Sequence, residues 1–166
     1  MKLIELTAEQ NVGYHAFMLN GFRQHRNCFR ISPADQADEP FPTTATPDSF
    51  TLGVLTDGDA LAGVVSFQRE GQTREKIRHK SLLFRMYVAA GHTGQGLGQR
   101  LLNETIRRAR LLPGMEQINL TVITTNGAAK RQYEKLGFRS FALEHNAIKD
   151  GDTYYHEEQM VLFLTQ

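Results

Sequence analysis

Alternating and helical spacings of apolar residues predict a series of strands and helices along the chain. The predicted strands are residues 2–6, 50–55, 61–67, 81–88, 117–123, 138–147 and 154–164. The predicted helices run from a capping box at Thr7 and Gln10 to about Arg26, from a glycine turn to just before Pro113, and from Asn126 to Gly137. The proline-rich segment 32–49 is predicted to be a long loop with room for a short helical turn.

The order of these elements is strand, helix, three strands, helix, strand, helix and two strands. This order predicts a mixed α/β sheet with helices on both faces. The helix between segments 81–88 and 117–123 makes these two strands a parallel pair joined by a crossover. Because 166 residues can bury a core of ordinary size, we expect residues 1–166 to form one domain.

The strand at residues 81–88 is the most apolar of the chain, and we expect its side chains to alternate regularly. One face would carry Leu82, Phe84, Met86 and Val88, and the other His79, Ser81, Leu83, Arg85 and Tyr87. The helix that follows the glycines has an apolar stripe suited to packing on a sheet, made of Leu101, Leu102, Thr105, Ile106 and Ala109.

Composition and charge argue against several classes of protein. Apolar residues make up 40% of the chain and charged residues 22%, which is typical of a folded globular protein rather than a disordered one. A net charge of +1 gives no reason to expect nucleic acid or an anionic membrane as a partner. Cys28 is the only cysteine, so we expect no intrachain disulfide and a cytoplasmic protein.

Three glycines, Gly94, Gly96 and Gly98, lie between the most apolar strand and an amphipathic helix. Without Cβ atoms, such a turn lets a bulky anion approach the backbone, and the free amides at the start of the helix favour a phosphate. A turn that uses its glycines only for tight packing would look the same. The spacing alone therefore leaves both interpretations open.

Two familiar phosphate-binding loops do not fit these residues. A P-loop needs Lys followed by Ser or Thr after its last glycine, and Gln99 and Arg100 stand there instead. A dinucleotide-binding fingerprint needs a glycine where Gln99 stands, and it needs an acidic residue further on that is missing.

A known family does have this pattern. The strand end Tyr87-Val88, followed after four residues by Thr93-Gly94-Gln95-Gly96-Leu97-Gly98, resembles the coenzyme A signature of the GCN5-related N-acetyltransferases (GNAT family). The segment 126–138, which ends in Tyr-Glu-Lys-Leu-Gly-Phe, resembles that family's second cofactor motif. Two motifs in the family's order and at a family-like separation are more specific than either one, and the element order agrees over nearly the whole chain.

The resemblance implies a GNAT-like sheet of six to seven strands, mostly antiparallel, and direct transfer of an acetyl group from acetyl-CoA to an amine. The acceptor amine is left unidentified, whether small molecule or protein. The chain departs from the family at Thr93, where Arg or Gln is usual. A hydroxyl lacks the charge and reach of a guanidinium, so the affinity for the cofactor is the property most affected.

The resemblance also implies roles for single residues. Main-chain groups of Met86, Tyr87 and Val88 would meet the pantetheine arm, and Asn126 would contact it. The pyrophosphate would be held by the turn Thr93, Gly94, Gln95, Gly96, Leu97 and Gly98. Tyr133 would be catalytic, because a phenol in a partly desolvated cleft can give a proton to the leaving thiolate.

The general base is not evident from the sequence. The strand 81–88 has no carboxylate, so Glu70 and His79 are the candidates, both weak. Four residues near the closing hairpin are expected at the surface and receive no role: His145, His156, Glu157 and Glu158. No His or Cys spacing predicts a metal site.

Two other functions stay open at this stage. A coenzyme A sensor or scaffold would keep the cleft without turnover, and a binding module for another nucleotide would prefer ATP or NAD. The apolar strands of the closing hairpin, residues 138–164, also suit pairing between two subunits as a homodimer.

Overall fold

A computed structural model describes residues 1–164 and contains seven strands and three α-helices in that range. The strands are β1 Lys2–Leu6, β2 Ser49–Leu55, β3 Leu61–Arg69, β4 Lys80–Val88, β5 Gln117–Ile123, β6 Arg139–Asp150 and β7 Thr153–Phe163. The helices are α1 Asn11–Gln24, α2 Leu97–Leu111 and α3 Gly127–Lys135. Short 3-10 turns lie at Ala8–Gln10, Arg26–Cys28, Asp35–Asp38 and Ala90–His92. The predicted mixed sheet is confirmed.

The seven strands form one sheet in the order β1-β2-β3-β4-β5-β7-β6. Every neighbouring pair is antiparallel except β4 and β5, which are parallel. That parallel pairing covers only Lys80–Leu82 against Gln117–Asn119, although both strands continue well beyond it. The sheet therefore splits between β4 and β5 toward their carboxyl ends.

The helices cover both faces of the sheet. The predicted stripe of α2 is fully or nearly buried and packs with Val65 of β3, and α3 adds Tyr133 to the same cluster. On the other face, α1 packs Tyr14, Met18 and Phe22 against Val64, the neighbour of Val65 in the same strand. Because successive strand residues point to opposite faces, α1 and α2 lie on opposite sides of the sheet.

A β-bulge interrupts β4 and makes the predicted alternation wrong in its second half. Ser66 pairs with Phe84 and Val64 pairs with Tyr87, so two residues of β4 oppose one of β3. Arg85 takes a φ of 50° there, in the left-handed region where such extra residues are accommodated. The extra residue moves Met86 and Val88 to the α2 face, with Leu83, and Tyr87 to the α1 face.

The element boundaries follow the prediction closely, with local differences. The capping box at Thr7 and Gln10 is present, but it begins a 3-10 turn, and α1 starts only at Asn11. Strands β6 and β7 extend further toward each other than predicted, because the turn between them tightens around Gly151, whose φ is 60°. None of the helices in the described range is long and apolar enough to cross a membrane.

Candidate active site

The split leaves one edge of β4 open. Beyond Leu82, the β5 side of β4 has no strand partner among residues 1–164, while the other side stays paired with β3. The main-chain groups of Met86, Tyr87 and Val88 lie in this stretch. An unpaired strand edge offers hydrogen bonds to any extended ligand that carries amides, as an added strand would.

The glycine turn follows directly from the open end of β4. A 3-10 turn at Ala90–His92 comes first, and the hydroxyl of Thr93 donates to the carbonyl oxygen of Ala90 at 3.0 Å. Gly94 and Gly96 then have φ values of 75° and 76°. An L-residue with a side chain is strained in that region, so these two glycines are required by the shape of the turn.

The amino end of α2 carries backbone donors that have no acceptor in residues 1–164. Its N-cap, Gly96, has no side chain to cap the helix, and its first turn has no acidic residue. The amides of Gly96, Leu97, Gly98 and Gln99 donate to no other group in the described chain. Free amides and the positive end of the helix dipole together favour an anion here.

Gly98 has a different purpose from the other two glycines. Its backbone is helical, and a Cβ at this position would lie 2.6 Å from Nε2 of Gln132. Its missing side chain therefore leaves room for the end of the Gln132 side chain of α3. The two predicted cofactor segments, which are separated along the chain, meet at this contact.

Asn126 and Tyr133 lie at the two ends of α3. Asn126 caps the helix, because its Oδ1 accepts from the amide of Ala129 at 3.3 Å. Its Nδ2 donates to no group in residues 1–164, so this amide is available to a ligand.

The ring of Tyr133 is buried, with 7% of the residue exposed, and packs edge-on against Phe138 with centroids 5.8 Å apart. Its hydroxyl has no hydrogen-bond partner within residues 1–164. Burial raises the pKa of the phenol, so the hydroxyl stays protonated at neutral pH.

The two candidate bases lie at the other end of β4. Glu70 follows β3 and lies 3.4 Å from the ammonium of Lys80, and the carbonyl oxygen of His79 accepts from the amides that open β5. Strand β4 has nine residues, about 25 Å at the usual rise of a strand, and separates both from the glycine turn. The bulge also removes His79 from the face of Tyr87.

Sequence reasoning missed the groups on the α1 face of the split. The segment after α1 crosses the split there: the carbonyl of Asn27 accepts from Thr125 at 3.3 Å, and the rings of Phe29 and Tyr87 lie 5.7 Å apart. Nε of Arg30 then donates to Oε1 of Glu157 at 2.8 Å.

Glu157 is wholly buried, so its expected place at the surface was wrong. It was missed because β7 lies between β5 and β6 in the sheet, and the order of strands along the chain gives no sign of that placement. The side chain next to it, Glu158, points to the α3 face and binds Lys130 at 2.9 Å.

No group of three or more His, Cys, Asp or Glu side chains within residues 1–164 is arranged to hold a metal ion. Cys28 is half-buried and burial raises the pKa of its thiol, which makes it a poor nucleophile.

Comparisons with known proteins agree with the resemblance in sequence. Residues 13–138 match the family model described as the acetyltransferase (GNAT) family. A stretch of 97 residues is 30% identical to N-alpha-acetyltransferase 40 of Saccharomyces cerevisiae, covering 54% of this chain and 32% of that protein. The match thus spans about a third of that relative's length.

Solved structures share the fold over nearly the whole chain. A GNAT-family acetyltransferase from Streptococcus pneumoniae superposes with a TM-score of 0.82 at 20% identity, covering 98% of both chains. The yncA protein of Salmonella typhimurium, solved with acetyl-CoA, gives 0.79 at 18% identity, covering 100% of this chain and 95% of the other. At these identities the likeness confirms the predicted fold; the roles of single residues stay predictions.

Proposed function

The chain belongs to the acetyltransferase (GNAT) family, and from this premise we propose how it transfers the acetyl group of acetyl-CoA directly to the nitrogen of an amine. The proposal rests above all on one observation: four free amides at the uncapped start of α2 adjoin the open edge of β4. Acetyl-CoA needs both features, since it carries a pyrophosphate and an extended arm with two amides. The enzyme is an acetyl-CoA-dependent N-acetyltransferase.

The donor would bind along the split. The amides of the turn Gly94 to Gly98 would hold the pyrophosphate, and the edge of β4 from Met86 to Val88 would pair with the amides of the pantetheine arm. Asn126 has a free Nδ2 for the same arm. The hydroxyl of Thr93 already donates to Ala90, so it reaches a phosphate only by giving up that bond. We therefore expect the backbone amides to provide most of the affinity.

Tyr133 would act on the leaving group. When the amine attacks the thioester carbon, the C–S bond breaks and the sulfur becomes a thiolate that needs a proton. The hydroxyl of Tyr133 is protonated at neutral pH and hydrogen-bonds no other group of residues 1–164, so its proton is available to the thiolate.

A binding and turnover experiment tests the proposal. Calorimetric titration with acetyl-CoA, ATP and NAD should show binding of acetyl-CoA alone. Thiol release is then measured with a panel of an alkylamine, an α-amino acid and a peptide with a free amino end. Release that depends on one of these amines is the expected result. Binding without release from a broadened panel would favour a coenzyme A sensor, and preference for ATP or NAD would favour a different nucleotide module.

We further propose that residues 1–166 act as one domain in the cytoplasm, where a lone free cysteine suits the reducing conditions, without nucleic acid or membrane as a partner. Two chains would associate through the outer edge of β6, which leaves Phe141 and Leu143 about half exposed, at 54% and 50%. Light scattering on the native protein and on Leu143→Lys should give a dimer for the first and a monomer for the second. A monomeric native protein would contradict the association.

A further inference from the structure

Glu157 is a buried carboxylate with one half of its hydrogen-bonding capacity unused. The residue has 0% exposure in the interior of the sheet, between Ile123 of β5 and Glu144 of β6. Its Oε1 accepts from Nε of Arg30 at 2.8 Å, and its Oε2 is buried without a partner in the described chain. A buried charge whose acceptor atom receives no hydrogen bond is energetically costly. A native protein that contains such a group calls for an explanation, and a bound partner that supplies the missing donor is one.

The cations of residues 1–164 leave Oε2 of this carboxylate without a partner. Arg30 engages only one oxygen and leaves 64% of its own side chain exposed to solvent. The residue directly across the strand pair is Glu144, which carries the same charge and adds repulsion. An additional cation against Oε2 would therefore be stabilised by this arrangement.

Glu157 lies beside the split between β4 and β5. Ile123, its partner in register, is the last residue of β5, next to the loop that leads to Asn126. Arg30 reaches Glu157 from the segment that crosses the split on the α1 face and touches Tyr87 there. Glu157 thus lies across the sheet from α2 and α3, on the side from which an acceptor would enter once the donor fills the other.

We propose that Glu157 binds the ammonium group of the acceptor amine through Oε2 and takes a proton from it as the amine attacks. This inference rests on the proposed function and specifies its acceptor as a cationic primary amine. Arg30 is a positioning residue that holds the other oxygen.

The protons and bonds balance in this scheme. The ammonium gives one proton to Glu157, and the nitrogen forms a C–N bond to the thioester carbon while the C–S bond breaks. The thiolate takes the proton of Tyr133, and the second proton lost by the nitrogen restores Tyr133. Glu157 then releases its proton to solvent, so that one amide, one thiol and one free proton result.

Glu157→Gln is the direct test, with Glu144→Gln as its control. The control removes a negative charge from the exposed residue that faces Glu157 across the strand pair. It therefore measures how much a nearby negative charge attracts cations in general, without any change to the buried carboxylate. Losing a charge-assisted hydrogen bond should lower kcat/KM for the best amine of the panel about 10- to 100-fold. The affinity for acetyl-CoA, measured by calorimetry, should stay unchanged, and the control should stay within about twofold of the native enzyme.

A neutral nucleophile separates recognition of charge from structural damage. Hydroxylamine is largely uncharged at pH 7.5, so its acetylation should fall far less in Glu157→Gln than that of the protonated amine. An equal fall for both nucleophiles, or an unchanged kcat/KM for the amine, would overturn the proposal.

If Glu157→Gln does not fold, Glu157→Asp keeps the charge and shortens the reach by one methylene, and it should also lose at least about tenfold in kcat/KM for the amine. An aspartate variant as active as the native enzyme would overturn the proposal. Absence of thiol release by the native enzyme would instead count against the proposed function itself.

Discussion

The two faces of the split between β4 and β5 are built in different ways. On the α2 and α3 face, the candidate groups come from two continuous segments, 93–99 and 126–133, and most of them are main-chain amides. On the α1 face, Arg30 and Glu157 form one ion pair although 127 residues separate them along the chain. A site built from the backbone of one turn can be recognised as a sequence motif. A site built from residues that are far apart along the chain cannot.

The largest effect should come from removing the hydroxyl of Tyr133. For Tyr133→Phe we expect kcat to fall about 100- to 1000-fold, because the leaving thiolate loses its proton donor. The Kd for acetyl-CoA should hardly change, since the ring and its packing against Phe138 remain. Steady-state kinetics and calorimetry check both values.

Tyr154→Phe is the matched control, since that tyrosine is about half exposed on β7. It should have native kinetics. A Tyr133→Phe enzyme with native kcat would show that Tyr133 is not catalytic and that the α2 and α3 face only binds the donor.

The next largest effect should come from a substitution in the glycine turn before α2. Gly96→Ala forces a side chain into a φ of 76°, which should cost about 1 kcal/mol of stability. It also disturbs the amides at the start of α2, so we expect the Kd for acetyl-CoA to rise at least about tenfold. Chemical denaturation and calorimetry measure the two effects.

Gly151→Ala separates strain from binding. Gly151 has a φ of 60° and open space around it, but it lies in the turn between β6 and β7. The control should lose similar stability and keep its affinity for acetyl-CoA. Equal losses of affinity in both variants would mean that the turn at Gly96 has no special part in binding.

A smaller effect is expected at Glu104, on the outer side of α2. Arg107 and, to a lesser degree, Arg108 hydrogen-bond this carboxylate at 2.8 and 3.0 Å and lower its pKa to about 2. Because the folded pKa lies below the unfolded value, these contacts stabilise the fold above about pH 4.5, and the benefit is lost as the pH falls toward 2. Glu104→Gln should therefore lose about 1 kcal/mol at pH 7 and less at pH 3.

Urea denaturation at the two pH values measures this change, and Glu134→Gln is the control. Glu134 is half exposed and lies 3.9 Å from Lys130, so its loss should matter little at either pH. A loss of acetyl-CoA affinity in Glu104→Gln would contradict the account, which gives this residue a part in stability alone.

The smallest effect should come from Gly98→Ala. The new Cβ would meet only the end of the Gln132 side chain, which can move aside, and alanine favours a helix. We expect the free energy of unfolding and the Kd for acetyl-CoA to stay within about 0.5 kcal/mol of the native values. A loss as large as that in Gly96→Ala would show that the contact between α2 and α3 is tighter than a flexible side chain allows.

The sequence predicted the features that depend on neighbours along the chain. Capping by Thr7 and Asn126 and the apolar stripe of α2 are of this kind. Each of these features depends on residues within about one helical turn or one hairpin. The order of the elements they define then predicted the fold class.

What the sequence did not predict depends on contacts between distant segments. The bulge at Arg85 changes the faces of β4, and no residue type near it required a bulge. The burial of Glu157 follows from the insertion of β7 between β5 and β6. The family resemblance predicted donor-binding residues but no acceptor-binding residues, because only the former lie in short continuous sequence motifs.

A titration of the nitrogen-15-labelled protein with acetyl-CoA, followed by amide NMR, tests the central claim that the donor occupies the α2 and α3 face. The account predicts the largest shifts at the amides of Gly96 to Gln99 and at Met86 and Val88, with smaller changes at Arg30 and Glu157. Shifts concentrated around Arg30 and Glu157, with Gly96 to Gln99 unmoved, would contradict it.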